Sequence, residues 1–150
     1  MSGTGWIVMD TCTKRRFACS FAEWSPAAGL YRAELLGLCS IHLFILTLQQ
    51  AFCINESAQN KICCDNEKAL HKASLRPHRI PAGVKCPDLL RSLRNSGTEL
   101  TISLQYEHVA AHMDDVLEWS QLSLAQQLMF SVIYWRRQRW PDCRLALTTG

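Results

Sequence analysis

Residues 62–70 read ICCDNEKAL, a short apolar run that ends at Asp65 and leads into a helical turn. Residues 30–38 read LYRAELLGL and place Glu34 where an amphipathic helix begins. A carboxylate at the end of a buried strand, close to a second one on a helix that faces the sheet, forms an anionic site for a divalent cation. Mg²⁺ favours a few such oxygens together with substrate phosphates. The sequence therefore predicts a metal site at Glu34 and Asp65.

The apolar pattern along the chain predicts an α/β fold, with a central mixed sheet covered by helices. Alternating apolar residues favour strands, and helical periodicity favours helices. The predicted strands are 5–9, 16–24, 61–64 and 99–109, and the predicted helices are 31–52, a turn through 70–73, 88–93 and a last helix from 119. The third helix is expected to end at Asn95 and Gly97. The predicted order is β-β-α-β-α-α-β-α.

Length and composition fit one globular domain. The chain has 150 residues, of which 48% are apolar, enough to build a core. Charged residues make up only 19%, which argues against a disordered chain. The net charge of +3 is compatible with a phosphate-bearing partner but does not by itself indicate one. The oligomeric state cannot be inferred from these features.

Cysteine usage and hydropathy predict an intracellular protein. The eight cysteines include no Cys-x-x-Cys pair and mostly lie in apolar segments, which favours a reducing compartment, the cytoplasm or the nucleus. The apolar run 35–48 is shorter than the roughly 20 residues needed to span a bilayer, and His42 interrupts it. We therefore expect a buried core helix there, no membrane association and no secretion signal.

Four stretches in this order carry a family resemblance. They read GTGWIV at 3–8, LYRAELLGL at 30–38, ICCDNEKAL at 62–70 and HVAAHMDD at 108–115. Together they resemble the type 1 ribonuclease H domain, most closely the version attached to retrotransposon-type reverse transcriptases. Each motif alone is weak, but four in the right order are fairly specific. The resemblance covers residues 3–128 and implies a ribonuclease H-like mixed sheet flanked by helices.

The resemblance also implies a function. In that family four carboxylates bind two Mg²⁺ (or Mn²⁺) ions, which activate water against the RNA strand of an RNA–DNA hybrid. It places the helix carboxylate at Glu34 and the central-strand carboxylate at Asp65. His112, after the last strand, would assist proton movement or product release. Contacts to the nucleic acid would come from Asn66, Arg76 and Arg79.

Other interpretations of the same residues remain open. Glu34 is also a favourable partner for the helix dipole, and Asp65 could N-cap the helix that follows it. His112, beside Asp114 and Asp115, fits ordinary loop polarity as well as a metal clamp. Zinc bound through Cys64, His71 or His112 has no supporting ligand spacing.

Two of the family's four carboxylates have no obvious counterpart in this sequence. The first lies in an Asp-Gly-Ser motif on an opening strand, upstream of the stretch that matches residues 3–8. We expect that strand to be missing, which leaves a sheet position unpaired. Asp10 follows the end of the first predicted strand and is in the wrong place to substitute.

The fourth carboxylate belongs to a last helix that reads Asn-Val-x-Cys-Asp-x-Leu-Ala-Lys in related retrotransposon domains. Residues 129–137 instead read MFSVIYWRR. Codons for these nine residues, shifted back by one nucleotide, can read Asn-Val-Leu-Cys-Asp-Ile-Leu-Ala-Lys. We therefore expect a frameshift after Leu128 and a poorly packed, out-of-frame tail at 129–150 with rapid amide exchange.

With two ligands lost, we expect a degenerate, inactive domain. The alternatives are an active nuclease that uses Asp114 or Asp115 as replacement ligands and a non-catalytic nucleic-acid-binding or scaffold module.

Overall fold

The computed structural model describes residues 2–24, 29–54, 60–74, 80–110, 113–138 and 146–148. The fold is mixed α/β. Its elements are β1 (Ser2–Met9), β2 (Arg16–Glu23), α1 (Leu30–Phe52), β3 (Asn60–Cys64), α2 (Glu67–Ser74), α3 (Pro87–Glu99), β4 (Leu104–His108), α4 (Leu124–Gln138) and β5 (Ala146–Thr148), with 3-10 turns at Met113–Asp115 and Trp119–Gln121. The order predicted from the sequence is observed as far as α4, and β5 is an addition to it.

The chain divides into two compact units. The central unit is Gly29–His108, and the terminal unit combines Met1–Ala28 with Val109–Gly150. In the terminal unit, β1 and β2 form an antiparallel hairpin, and β5 pairs with the other edge of β2. Asp10 lies in the hairpin turn, where its carboxylate accepts hydrogen bonds from the Cys12 amide and the Thr13 hydroxyl. Asp10 therefore shapes the turn, which is consistent with excluding it from the predicted metal site.

The described strands include both antiparallel and parallel pairs. They form two sheets, β1-β2-β5 and the parallel pair β3-β4. The register of the parallel pair runs from Asn60 opposite Leu104 to Cys64 opposite His108. The α/β class is confirmed, and the ribonuclease H-like mixed sheet stays a prediction.

Helix α1 supplies the core of the central unit. Its buried positions recur at helical spacing and are Ala33, Leu35, Gly37, Leu38, Cys39, Ile41, His42 and Leu46. They pack against α3, whose buried residues include Leu89, Leu90 and Leu93. By length and composition alone α1 would also qualify as a membrane span, a test that core helices of soluble proteins pass too. The absence of membrane association stays a prediction.

Helix α3 is longer than predicted because packing overrides its local helix-breaking residues. It continues through Asn95 and Gly97 to Glu99. Ser96 is 3% exposed, and its hydroxyl lies 3.0 Å from the Ser92 carbonyl oxygen and 3.1 Å from that of Leu93. A glycine inside a helix costs about 1 kcal/mol relative to alanine, and burial of this turn offsets that cost. As a result β4 begins at Leu104, five residues later than expected.

The structure continues α4 across Leu128 without a break. The Phe130 ring lies 5.6 Å from the Trp119 ring in an edge-on arrangement. The expected division into a domain at 3–128 and a poorly packed tail at 129–150 stays a prediction, because packing strength and amide exchange require measurement.

Candidate metal centre

Glu34, Cys64 and Asp65 form a cluster in the central unit. One ligand atom from each residue lies within 4.8 Å of the other two. Glu34 projects from the second turn of α1, and the other two residues stand at the carboxyl end of β3. The two carboxylates that the sequence singles out are thus brought together, as expected. Their role in metal binding stays a prediction.

The junction between β3 and α2 explains why Asp65 is available to this cluster. The side-chain oxygen of Asn66 accepts a hydrogen bond from the Ala69 amide at 3.0 Å, which makes Asn66 the N-cap of α2. The backbone N–H of Asn66 donates a hydrogen bond to the Cys64 sulfur at 3.3 Å. The alternative in which Asp65 caps the helix is therefore wrong. The side-chain oxygen of Asn66 accepts the capping hydrogen bond. The predicted contact of Asn66 with nucleic acid would therefore use its side-chain nitrogen.

Cys64 contributes a neutral thiol to the cluster. Its sulfur lies 3.7 Å from a Glu34 carboxylate oxygen and 3.9 Å from one of Asp65. Burial, reinforced by the two carboxylates, raises the pKa of Cys64 to about 12. Zinc deprotonates a thiol that it binds, so the pKa does not decide the zinc alternative at this residue, which stays a prediction. A hard cation would use the two carboxylates, because thiols are poor ligands for Mg²⁺.

His108 fixes the backbone next to the cluster, a role that the sequence does not reveal. Its Nε2 donates to the Asp65 carbonyl oxygen at 3.1 Å. The parallel register places His108 opposite Cys64, so both strands end at the same edge. The alternation of β4 predicts only that His108 lies on the exposed face. The signal that could have found it is the parallel pairing of β3 with β4.

The donor set fits a divalent cation of the Mg²⁺ type. Two oxygens bound to one Mg²⁺ at neighbouring octahedral positions lie about 3 Å apart, given metal–oxygen distances of about 2.1 Å. The ligand atoms of the cluster lie within 4.8 Å of one another, and binding would bring the two oxygens to this spacing by side-chain rotation. Two carboxylates with several retained waters is the ligand set Mg²⁺ commonly takes. The pair can therefore hold one hydrated cation.

The other predicted site residues lie in the terminal unit or outside the described residues. Asp114 and Asp115 lie in the 3-10 turn Met113–Asp115 of the terminal unit, where Asp115 is exposed. His112, Arg76 and Arg79 lie outside the described residues. Their predicted roles stay predictions.

A second polar cluster lies on the same helix and is fully closed. His42 is 1% exposed, and its Nε2 lies 2.9 Å from the Tyr106 hydroxyl. Its Nδ1 lies 3.4 Å from the Ser96 hydroxyl. Because that hydroxyl donates to backbone carbonyls, Nδ1 donates to it and Nε2 accepts from Tyr106. Burial lowers the pKa of His42 to about 4, so the ring is neutral at physiological pH.

Comparison with protein-family models, curated proteins and solved structures finds no match for this chain.

Proposed function

We propose that this chain is a ribonuclease H-like domain that binds one divalent cation at Glu34 and Asp65 and an RNA–DNA hybrid beside it. The observation that carries the proposal is the approach of two carboxylate oxygens within 4.8 Å at a strand–helix junction. The hybrid is the partner that the sequence motifs imply.

The arrangement of elements supports the proposal. Glu34 and Asp65 come from a long core helix and from the carboxyl end of a strand, the two elements to which the motifs assign them. That strand pairs in parallel with β4. The four motifs and the proximity of the two carboxylates support the proposal separately. The motifs fix the order of residues along the chain and not the distance between them.

The residues present can bind one cation, but they do not make a complete catalytic centre. A bound Mg²⁺ or Mn²⁺ would supply Lewis acidity and activate water toward a phosphodiester. Glu34 and Asp65 would ligate it, and the neutral thiol of Cys64 would line the buried side. This sequence offers counterparts for two of the family's four carboxylates. We therefore propose that the 150-residue chain binds without hydrolysing the hybrid.

Metal binding is tested by titrating the full chain with Mn²⁺ and following the free ion by electron paramagnetic resonance. The wild type should bind one ion, and both Glu34→Gln and Asp65→Asn should weaken binding by at least about tenfold. Even substitution of a residue that hydrogen-bonds to a metal ligand typically lowers metal affinity by about 10–100-fold. Glu99→Gln is the matched control, because Glu99 is an exposed carboxylate at the end of α3. Equal binding by all four proteins would overturn the proposal.

Hydrolysis is tested with a labelled RNA–DNA hybrid in Mg²⁺ or Mn²⁺. We expect no cleavage. Supplying an upstream Asp-Gly-Ser strand and the alternative frame after Leu128 should create activity, which Asp65→Asn should then abolish. Metal-dependent cleavage by the unaltered chain that disappears in Glu34→Gln would instead favour the active nuclease with Asp114 or Asp115 as replacement ligands.

A further inference from the structure

Cys64 brings a sulfur atom to the carboxylate pair, and a Mg²⁺ ion bound by the carboxylates would leave this sulfur unused. The residue is only 8% exposed. Its sulfur lies 3.7 Å from a Glu34 carboxylate oxygen and 3.9 Å from one of Asp65. The single thiol hydrogen can donate to only one of these oxygens at a time. A hydrogen bond from the thiol therefore does not account for its approach to both carboxylates.

The spacing of the sulfur and the two oxygens fits a tetrahedral ion. Zn²⁺ binds thiolate sulfur at about 2.3 Å and carboxylate oxygen at about 2.1 Å, so a sulfur and an oxygen that share a tetrahedral Zn²⁺ lie about 3.6 Å apart. Octahedral neighbours with the same bond lengths would lie only about 3.1 Å apart. The observed sulfur–oxygen distances of 3.7 and 3.9 Å are closer to the tetrahedral spacing.

The backbone that follows β3 orients the sulfur toward the carboxylates. Adjacent side chains of a strand point to opposite faces, and Cys64 and Asp65 can reach one cluster because β3 ends at Cys64. Just after the strand, the backbone N–H of Asn66 donates a hydrogen bond to the Cys64 sulfur at 3.3 Å. Hydrogen bonds of this kind orient metal ligands and tune metal–sulfur sites. The sulfur is therefore held as a ligand would be.

We propose that Glu34, Cys64 and Asp65 together bind a thiophilic divalent cation of the zinc type, which excludes the hard cation from the same place. The inference rests on the proposed function for the role of the two carboxylates as ligands and adds the sulfur as the third. Binding breaks the S–H bond of Cys64, forms a metal–sulfur bond and releases the proton to solvent. Three protein ligands with a water in the fourth position is a common arrangement around Zn²⁺.

Mutually exclusive binding is tested on the unaltered full chain, kept reduced. Mn²⁺ is bound first, and Zn²⁺ is then added while electron paramagnetic resonance follows the free Mn²⁺. Zn²⁺ should release the bound Mn²⁺ one for one, because both ions need the same two carboxylates. Zn²⁺ that binds without releasing Mn²⁺ would occupy another site and would overturn the inference.

Co²⁺, a spectroscopic substitute for Zn²⁺, reports whether the sulfur is a ligand. A cobalt–thiolate bond gives a near-ultraviolet charge-transfer absorption that cobalt bound only by carboxylates lacks. The wild type should show this absorption. Cys64→Ser should lose it and should bind Zn²⁺ at least about tenfold more weakly, as expected for loss of a ligand. Its Mn²⁺ affinity should stay within about threefold of the wild type, because a hard cation does not depend on the thiol.

Cys63→Ser is the matched control, because Cys63 is the adjacent cysteine on β3 and points to the other face of the strand. This control should keep both the cobalt absorption and the Zn²⁺ affinity. Absorption that survives in Cys64→Ser, or that disappears equally in both variants, would overturn the inference.

Retained Mn²⁺ binding and a matching far-UV circular dichroism spectrum show that Cys64→Ser is folded. If that variant does not fold, the ¹¹³Cd resonance of the unaltered chain carries the test. Its position should be that of cadmium bound by one sulfur and several oxygens. A resonance at the position of cadmium bound by oxygens alone would overturn the inference.

The two classes of metal separate this inference from the proposed function. Zn²⁺ binding that depends on Glu34, Cys64 and Asp65, in a chain that binds no Mn²⁺, would overturn the hard-cation site alone. Mn²⁺ binding by a chain whose cobalt complex lacks the sulfur absorption would overturn the zinc-type site alone.

Discussion

Helix α1 carries two polar clusters that differ in how their polar atoms are satisfied. His42, near the middle of the helix, is matched on each ring nitrogen by a hydroxyl, from Tyr106 and Ser96. Glu34, near the start of the helix, belongs to the cluster with Asp65 and Cys64. The Cys64 sulfur lies 3.7 Å from a Glu34 carboxylate oxygen and 3.9 Å from one of Asp65. The first cluster is a closed hydrogen-bond network, and the second brings like charges together.

Under the proposed function, the first cluster has a structural role and the second a ligand-binding one. A buried polar group costs little when all its partners are present and much when one is lost. The His42 network meets that condition with protein atoms alone. Under the proposed function, a cation between the Glu34 and Asp65 carboxylates would lower the free energy of the second cluster. Removing a side chain from the His42 network should therefore lower the free energy of unfolding, whereas removing a charge from the Glu34–Asp65 pair should raise it when no cation is bound.

The largest expected effect comes from removing the His42 side chain. His42→Ala should lower the free energy of unfolding by about 3 kcal/mol or more, because it leaves a cavity and strips the Tyr106 and Ser96 hydroxyls of a partner. Urea denaturation followed by far-UV circular dichroism measures the change. A loss below about 1 kcal/mol would mean that the network is not closed as described.

The second effect is the pH dependence of stability that His42 causes. Its pKa is about 4 in the folded chain, below its ordinary value near 6.5. Between these values the unfolded chain binds more protons, so stability rises with pH. The contribution is complete above pH 6.5 and decreases to zero as the pH falls to about 4, a loss of about 3 kcal/mol.

His42→Gln provides the comparison, because glutamine can both accept and donate but does not titrate. Its stability should vary less than that of the wild type between pH 6.5 and 4, while carboxylates outside the cluster contribute equally to both proteins. Parallel pH profiles would show that the pKa of His42 does not differ between the folded and the unfolded chain.

The sequence predicts the Glu34–Asp65 pair more readily than the His42 network. Glu34 and Asp65 follow local patterns, a helix start and a strand end, so each can be placed from its neighbours. His42 is recognisable only as an interruption of an apolar run. Its partners lie 54 and 64 residues further along the chain, and only the packing of α1 against α3 and β4 brings them near.

The element order could be predicted for a similar reason, whereas the sheet could not. Apolar alternation identifies β2 and β4, and a short apolar run identifies β3, but which strands become neighbours depends on long-range pairing. The end of α3 was misplaced because Asn95 and Gly97 are local stop signals, while the burial of Ser96 is a tertiary effect.

A third and smaller effect should appear at the Glu34–Asp65 cluster when a cation is supplied. Mg²⁺ at about ten times its dissociation constant should stabilise the wild type by about 1.4 kcal/mol. Asp65→Asn should lose this stabilisation, and His42→Gln should keep it, because the two clusters are separate. Thermal denaturation with and without Mg²⁺ measures the difference. Equal stabilisation of wild type and Asp65→Asn would place the cation elsewhere.

The smallest effect distinguishes the clusters without any ligand. In EDTA at low salt, Asp65→Asn should raise the free energy of unfolding by roughly 0.5 kcal/mol, because it removes one of two neighbouring negative charges in a partly solvated setting. The asparagine can keep the contact with Cys64, and the backbone carbonyl that accepts from His108 is unchanged. Added NaCl should reduce the gain by screening the repulsion. Destabilisation by Asp65→Asn under these conditions would mean that the carboxylate stabilises the fold as the His42 network does, and the contrast between the two clusters would be lost.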